Sequence, residues 1–201
     1  AIGNVLLVTS DGNRITSNEM EYDGNTQRGI ARGKVVLTDA KQTISTDVLY
    51  YDRVKNTAYF NSGGTINDGR NTMWTQSATY FIDSKTNEFT NNYTIDNAQY
   101  RVEGKNIKHY QNTNIAEFFG PTTIINKEKP SNYVYTENGK YLMTEKQVYL
   151  NKNSRIYYNG KILKGDKMFF NQLTGFGKAE GNVRLDDPKE NRYIIGGYGE
   201  I

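Results

Sequence analysis

Hydrophobic and polar residues alternate with a period of two along many short stretches of the chain. Counting back by twos from Val183 gives Gly181 and Ala179, whereas Glu180 and Asn182 take the other face. Strands with one apolar face are typical of half-buried β-sheets. The matching apolar positions of successive strands are Val5, Val35, Ile66, Ile95, Ile124, Ile156 and Val183.

A second set of segments recurs between these strands. Their first residues are Ile15, Ile44, Met73, Val102, Val134 and Leu163, at separations of 29, 29, 29, 32 and 29 residues. Seven positions further on stand Tyr22, Tyr51, Tyr80, His109, Tyr141 and Phe170. Spacing, aromatic position and alternation agree independently, which indicates an array of internal repeats.

Each repeat contains two turn signals. One follows the aromatic residue, as in "DGNTQ" and "DRVKNT", and the other follows the Val/Ile strand, as in "TDAKQ" and "NDGRN". Asp, Asn and Gly accept the backbone geometry of tight turns. Two turns in 29 residues predict two strands of roughly ten residues each, so every repeat is predicted to be an antiparallel β-hairpin.

The first strand of the repeat contains a break in phase. Ile44 and Leu49 are five residues apart, so strict alternation would place them on opposite faces. A kink at residues 45–47, or at 104–105 in a later repeat, returns both apolar residues to the interior. We therefore expect the strand to bend and to give one half to each of two facing sheets.

About six and a half hairpins of this kind predict an all-β fold, a repeat-built antiparallel jellyroll. The pattern predicts one domain over residues 1–201 with open edge strands. Residues 195–201 resemble the start of a further repeat, which suggests part of a longer array. The phrase "GNV" occurs near both ends, and alternation places Gly3 and Gly181 inside, where we interpret glycine as leaving room for bulkier neighbours.

Composition and charge narrow the possible partners. The formal charge of +3 is spread over both signs with no block of Lys and Arg, which argues against nucleic acid as a partner. The absence of Cys excludes disulfides and thiolate metal sites, and fits a cytoplasmic or periplasmic protein. No stretch approaches the 18 apolar residues of a membrane helix.

Candidate catalytic chemistry is sparse. The sole histidine, His109, occupies the aromatic position of the repeat, and we predict a structural role for it. The glycine-rich "GGTINDGR" and "IIGGYGEI" are interpreted as turns or bulges, and Trp74 is expected to face solvent at a corner. Carboxylates fall in the predicted turns, at Asp23, Asp52, Asp83 and Asp187. The sequence thus predicts no enzyme, no metal and no cofactor.

The inward apolar residues leave two interpretations open. Most of them could be core, but an open jellyroll cannot bury the residues at its mouth, and a long apolar groove needs a partner. The candidates for a lipid groove are Ile15, Met20, Tyr22, Val35, Leu37, Ile44, Leu49, Tyr51, Ile66, Met73, Tyr80, Ile95, Phe118, Ile124, Tyr141, Ile156, Met168, Phe170 and Val183.

Two phrases of the repeat resemble the OstA/LptA-like family of lipopolysaccharide transport. "ISTDVLYYD" and "LKGDKMFFN" are similar to the family's first half, I-x-G/A-D-x-L-x-Y-D, and "GIARGKVVL" and "GKAEGNVRL" to its second, A-x-G-x-V. The resemblance covers nearly the whole chain, and the Asn- and Tyr-rich composition is similar to OstA-like proteins of the Bacteroidetes type. The middle repeats, with "FTNNYTID" and "YLNKNSRIYYN", lack the Gly-x-Val motif.

The resemblance implies a fold and a function. The fold is an open, V-shaped β-jellyroll, or β-taco, similar to LptA, LptC and the N-terminal domain of LptD. Its apolar groove would hold the lipid A acyl chains of lipopolysaccharide in the periplasm. The resemblance also allows association with the outer membrane. Modules would stack on other jellyroll modules or on a second copy through their edge strands. The alternatives are a structural or adhesive β-solenoid with a filled core and, as a third interpretation, a carbohydrate-active β-helix enzyme.

Overall fold

A computed structural model describes residues 1–174 and 176–200. Ile201, the last residue of the predicted final repeat, lies outside the described residues. In the described part of the chain, seventeen β-strands account for the regular structure, together with one 3₁₀ turn at Pro188–Glu190. The chain divides into two compact units, residues 1–97 with 110–112, and residues 98–109 with 113–201.

The first unit is a series of antiparallel hairpins. Each long strand pairs with the next, and β5 and β6 lie end to end as one interrupted strand, because both pair with β4 and with β7. The strands are β1 (Ile2–Val8), β2 (Arg14–Asp23), β3 (Arg28–Thr38), β4 (Thr43–Asp52), β5 (Thr57–Phe60), β6 (Gly64–Asn67), β7 (Thr72–Phe81) and β8 (Thr86–Asp96).

The second unit repeats the same plan. β12 and β13 form one interrupted strand beside β11, and β14 and β15 form another beside β16. Its strands are β9 (Tyr100–Tyr110), whose last residue belongs to the first unit, β10 (Ile115–Asn126), β11 (Tyr133–Leu142), β12 (Gln147–Lys152), β13 (Ser154–Tyr158), β14 (Lys161–Gly165), β15 (Lys167–Asn171), β16 (Gly177–Asp187) and β17 (Arg192–Glu200). The predicted fold class, an all-β antiparallel jellyroll of hairpin repeats, is confirmed. The prediction of one domain over residues 1–201 stays a prediction.

The turn after each aromatic residue has one recurring conformation. Its last residue has a positive φ, between 47° and 55°, at Gln27, Asn56, Lys85, Asn114 and Lys146. The carbonyl of that residue accepts a hydrogen bond from the next repeat: Arg53 N donates to Gln27 O at 3.0 Å, and Ile82 N donates to Asn56 O at 3.0 Å. Successive turns therefore stack on one another through the backbone.

The "GNV" phrase lies at the corner where the strands bend. Gly33 and Lys34 have φ values of 75° and 51°, and Gly181 and Asn182 have values of 71° and 46°. In both strands the register shifts across these residues. The prediction that the glycine lies inside and leaves room for neighbours is wrong for Gly3, which is exposed with open space around it. At the half-buried Gly181, a Cβ would lie 2.5 Å from Asp166 Oδ2, so glycine does leave room there. The phrase also supplies two successive residues that tolerate the left-handed region.

The facing strand carries the kink that alternation predicted. The register of β4 shifts between Thr46 and Val48, within one residue of the expected 45–47. Thr46 is buried at this point, and its hydroxyl donates to the Gly63 carbonyl at 2.8 Å. A buried corner hydroxyl recurs at the equivalent positions Ser17, Thr46, Thr75 and Thr136.

Candidate functional site

Most of the predicted groove residues form tightly packed core. Their alternation toward the interior is confirmed, since these side chains are at most 8% exposed. This buried set contains Ile15, Val35, Leu37, Ile44, Leu49, Ile66, Met73, Tyr80, Ile95, Phe118, Ile124, Met168 and Val183. Contact of any of them with lipid stays a prediction.

Six of the predicted residues remain accessible. Tyr22 is 48% exposed, and the other five are half-buried: Met20, Tyr51, Tyr141, Ile156 and Phe170. Accessible apolar side chains beside a packed core are the ones that a hydrophobic ligand can reach first. Three of them belong to the first unit and three to the second.

Three accessible residues of the first unit line one apolar depression, which we call the N-terminal hollow. Met20, Tyr22 and Tyr51 contribute its accessible part, together with the half-buried Leu7 and Ile30. The depression is shallow, with a volume of about 10 Å³. The full lining is Leu7, Ile15, Met20, Tyr22, Gly29, Ile30, Ala31, Leu49 and Tyr51. Apart from backbone atoms it presents almost no polar groups, so an aliphatic ligand would leave no polar side chain unsatisfied there.

Sequence reasoning found five of the nine lining residues. Alternation from Val5 and Val35 points to Leu7 and Ala31, which could have been added on that signal. Ile30 is assigned to the opposite face by the same alternation, yet it lines the hollow. At the rim, burial raises the pKa of Tyr51, and the negative charge of Asp11 raises it further. The Tyr51 hydroxyl therefore stays protonated at neutral pH.

A buried polar cluster, which we call the polar clasp, lies elsewhere in the first unit. The side-chain amides of Gln42 and Asn87 form a reciprocal pair, at 2.8 and 3.3 Å. The Tyr80 hydroxyl donates to the Asp39 carboxylate, and the Lys85 ammonium lies 3.8 Å from the same carboxylate. Gln42 and Asn87 are 4% and 0% exposed, and the Asp39 side chain is 1% exposed.

The polar clasp joins the β3–β4 turn to the β7–β8 turn. Asp39 and Gln42 belong to the β3–β4 turn, whereas Tyr80, Lys85 and Asn87 lie at the β7–β8 turn. Burial, followed by the hydrogen bond to Asp39, raises the pKa of Tyr80, so its hydroxyl stays protonated as a donor. Because a buried carboxylate is tolerated only when it is paired, the clasp holds these turns together as a unit.

The interior of the second unit contains a packed apolar cluster. Val148, Leu150, Met168, Ala179 and Val183 form one buried cluster. The predicted groove residues Tyr141 and Ile156 pack against this cluster, as do Val134 and Leu163. Burial raises the pKa of Tyr141 to about 12, and its hydroxyl donates to Gln172 at 3.0 Å.

Two of the four predicted turn carboxylates accept hydrogen bonds from backbone groups, whereas Asp83 accepts one from Asn56 Nδ2 at 2.6 Å and Asp187 pairs with Arg192. Asp23 accepts a hydrogen bond from Asn25 N at 2.9 Å, and Asp52 accepts one from Lys55 N at 3.0 Å. These backbone donors lower the pKa of each carboxyl group, and the carboxylates are therefore used to shape turns. His109 is 3% exposed, in agreement with its predicted place in the repeat.

Within residues 1–174 and 176–200 there is no group of three or more His, Cys, Asp or Glu side chains suited to a metal ion. No helix in the same part of the chain has the length and apolar character needed to cross a membrane.

Antiparallel hairpins of similar length, bent at a recurring corner around an apolar interior, define a repeat protein of the β-jellyroll class. The chain belongs to the family of OstA-like proteins, whose sequence model matches residues 1–105, and to the LptC-related lipopolysaccharide-assembly family, whose model matches residues 76–191. The predicted family is therefore confirmed. No curated protein matches the chain.

Solved structures also match the chain. One is LptH from Pseudomonas aeruginosa, described as the LptA homologous periplasmic component of a conserved lipopolysaccharide transport device. The identity is 14%, the alignment covers 94% of this chain and 98% of LptH, and the TM-score is 0.25. A score of this size does not define a fold, which rests here on the strand pairing and the family models.

Proposed function

We propose that the chain is a non-enzymatic, periplasmic lipopolysaccharide-transport module that takes up lipid A acyl chains at the N-terminal hollow. The observation that carries the proposal is the shallow hollow, where Met20, Tyr22 and Tyr51 keep apolar surface accessible. Its volume of about 10 Å³ means that an acyl chain would enter as these rim side chains move apart. Family membership gives the ligand class, because one matching model describes lipopolysaccharide assembly.

The chemistry of the hollow suits an acyl chain. Transfer of each CH₂ group from water into an apolar site contributes about 0.8 kcal/mol and needs no directional contact. A tyrosine rim at Tyr22 and Tyr51 adds flat apolar surface. Affinity can then be substantial while chemical specificity stays loose, as a transfer module requires.

The polar clasp limits where an acyl chain can enter. Gln42 and Asn87 place hydrogen-bonded amides across the ends of the bent strands, and an acyl chain passing there would leave both amides unpaired. That loss would cost on the order of 1–3 kcal/mol for each buried polar group. We therefore place entry at the N-terminal hollow and not at the clasp.

Partners follow from the same assignment. Other jellyroll modules of the transport family, or a second copy, would pair with the exposed strands β1 and β17, and lipopolysaccharide would pass between them. Location in the periplasm agrees with the description of LptH, and outer-membrane association is an extension of that proposal.

A second candidate function is a structural repeat protein with a filled core. The observation in its favour is the second unit, in which Tyr141 and Ile156 pack against a buried cluster and not into open space. This candidate predicts that no lipid enters either unit. The experiment on the N-terminal hollow therefore decides between the two functions.

Cysteine protection tests the proposal, because the chain contains no Cys and every introduced thiol is unique. Met20→Cys places a thiol in the hollow, and Val54→Cys places one in an exposed turn, where Val54 is 72% exposed. We expect lipid A to slow alkylation at position 20 by about tenfold or more, with saturation, because the acyl chain covers the thiol. The rate at position 54 serves as the control and should not change.

Equal alkylation rates at position 20 with and without lipid A would contradict the proposal and favour the structural repeat. Slowing at both positions would indicate aggregation or micelle capture and would count against a specific site. Displacement of a hydrophobic probe by lipid A, measured on the unmodified chain, provides an independent readout that must saturate.

A further inference from the structure

A second depression lies on the outer face of the first unit, and we call it the outer cleft. Four residues in register cross it from strand to strand: Val36 pairs with Ser45, Ser45 with Thr65, and Thr65 with Trp74. The small side chains of Ser45 and Thr65 form a floor two strands wide between Val36 and Trp74. The strand spacing makes this floor on the order of 10 Å across.

The corner of the repeat adds polar groups along one side of the outer cleft. Lys34, Asp47 and Gln76 line it, next to the backbone of Gly63. Gln76 is held in place, because its side chain donates to Asn61 O at 3.0 Å. The positive φ of Lys34 fixes the direction in which its side chain leaves the strand.

Three functional groups of the outer cleft have no partner among the described residues. Neither the Lys34 ammonium nor the Asp47 carboxylate forms a hydrogen bond or ion pair within residues 1–174 and 176–200. The indole N–H of Trp74 is likewise without an acceptor in that part of the chain, and Trp74 is 42% exposed. A cation, an anion and an aromatic donor therefore face the same open space.

From this arrangement we infer that the outer cleft is a carbohydrate-binding site for an uncharged saccharide. Trp74 provides a flat apolar surface on which one face of a sugar ring can lie. Ser45 and Thr65 offer hydroxyls that both donate and accept, Asp47 accepts and Lys34 donates, which matches the mixed hydrogen-bonding groups of a sugar. Because the charges of Lys34 and Asp47 cancel, the site favours a ligand without net charge.

Other ligand classes fit the outer cleft less well. Aliphatic ligands require an enclosed apolar pocket, whereas this cleft is open and its floor is polar. Single-stranded nucleic acid requires a basic groove along its backbone, and here the single Lys34 stands beside Asp47. The assignment does not depend on lipid transport, since the cleft lies on the outer face and shares no residue with the N-terminal hollow.

Intrinsic fluorescence tests the inference directly, because Trp74 is the sole tryptophan of the chain. The purified protein would be titrated with neutral oligosaccharides of glucose, galactose, mannose and N-acetylglucosamine. We expect at least one of them to change the Trp74 emission with saturation, since a stacked sugar displaces water from the indole face. Titration with an uncharged polymer that is not a saccharide, such as polyethylene glycol, provides the control for viscosity and should cause no saturable change.

Substitutions then test which groups recognise the sugar. Trp74→Ala and Asp47→Ala should each weaken binding of that sugar by about tenfold or more, measured by calorimetry. Lys34→Asn removes the charged ammonium and its reach but keeps a residue that tolerates positive φ, so the corner stays intact and binding of the sugar should weaken. Tyr50→Ala is the matched control, because Tyr50 is 41% exposed on the same unit and lies outside the cleft.

The inference fails if none of the oligosaccharides produces a saturable change. It also fails if Trp74→Ala binds the sugar as tightly as the unmodified chain, or if Tyr50→Ala weakens binding equally. Circular dichroism of each variant shows whether the strands are retained. A variant that loses the strand signal is replaced by Trp74→Leu, which keeps apolar bulk without the aromatic face.

Discussion

Asparagine occupies nine of the thirteen non-glycine positions with positive φ in the described part of the chain, and Lys and Gln take the others. An L-residue in this region brings its Cβ close to the following carbonyl, at a cost of roughly 1–2 kcal/mol, and Asn reduces that cost by local hydrogen bonding. The abundance of Asn is therefore a backbone property of the repeat. It supplies turns at Asn56 and Asn114 and a corner at Asn182.

Lys146 allows the cost of this conformation to be measured. It is exposed with φ of 55°, so Lys146→Gly should raise the free energy of unfolding by up to about 1 kcal/mol, because glycine reaches positive φ without strain. Lys146→Val should lower it by roughly 1–2 kcal/mol. Urea unfolding measures both.

The next residue in the chain provides the control. Gln147 lies in β12 without positive φ, so Gln147→Gly should lower the free energy of unfolding by roughly 0.5–1 kcal/mol. If both glycine substitutions had the same sign, strain at position 146 would not be the cause.

At the level of the strand, the corner combines two devices on facing segments. One strand has successive left-handed residues, such as Asn91 and Asn92 in β8, with φ values of 62° and 70°. The facing strand β7 carries Thr75, whose hydroxyl lies 3.0 Å from the carbonyl of Ser77 and 3.0 Å from that of Asn92. The bulge leaves carbonyls without ladder partners, and the buried hydroxyl provides the missing donor.

Thr75→Val removes this donor with little change in shape. Thr75 is 1% exposed, so the variant leaves buried carbonyl oxygens unsatisfied and should lose about 1–3 kcal/mol of stability. Thermal and urea unfolding would detect the loss. Thr75→Ser keeps the hydroxyl and should recover most of it, whereas an equal loss in both variants would assign the effect to the methyl group and contradict the role of the hydrogen bond.

Some elements follow directly from the sequence and others do not. The 29-residue spacing and the phase break between Ile44 and Leu49 predict the hairpins and the kink, because both are written in the hydrophobic pattern. Positive φ at Lys34 leaves no trace in that pattern, since the residue is polar and exposed in either conformation. The pairing of Gln42 with Asn87 spans 45 residues and depends on the angle between strand halves, which periodicity does not encode.

For the molecule as a whole, the exposed strands decide how copies or related modules can associate. Every residue from Arg192 to Tyr198 in β17 is exposed, including Ile194 at 69% and Ile195 at 65%. β1 is exposed in a similar way, with Ile2 at 86%. An apolar, uncovered strand with free backbone groups is a template for pairing with another chain. These strands are therefore where the proposed transfer between modules would take place.

The double substitution Ile194→Lys with Ile195→Lys tests this association. One lysine points to each face of β17, and charges on an edge strand oppose pairing with a second strand. Because both positions are exposed, the substitutions should change the free energy of unfolding little. We expect the unmodified chain to self-associate with rising concentration in sedimentation velocity, and the variant to need about tenfold more protein or higher for the same degree of association. Val54→Lys, in an exposed turn, adds charge away from the strand and should leave association unchanged. Association of the double variant at the original concentration would show that β17 is not the contact. If the unmodified chain stayed monomeric at every concentration, self-pairing would be excluded and a different module would be the partner.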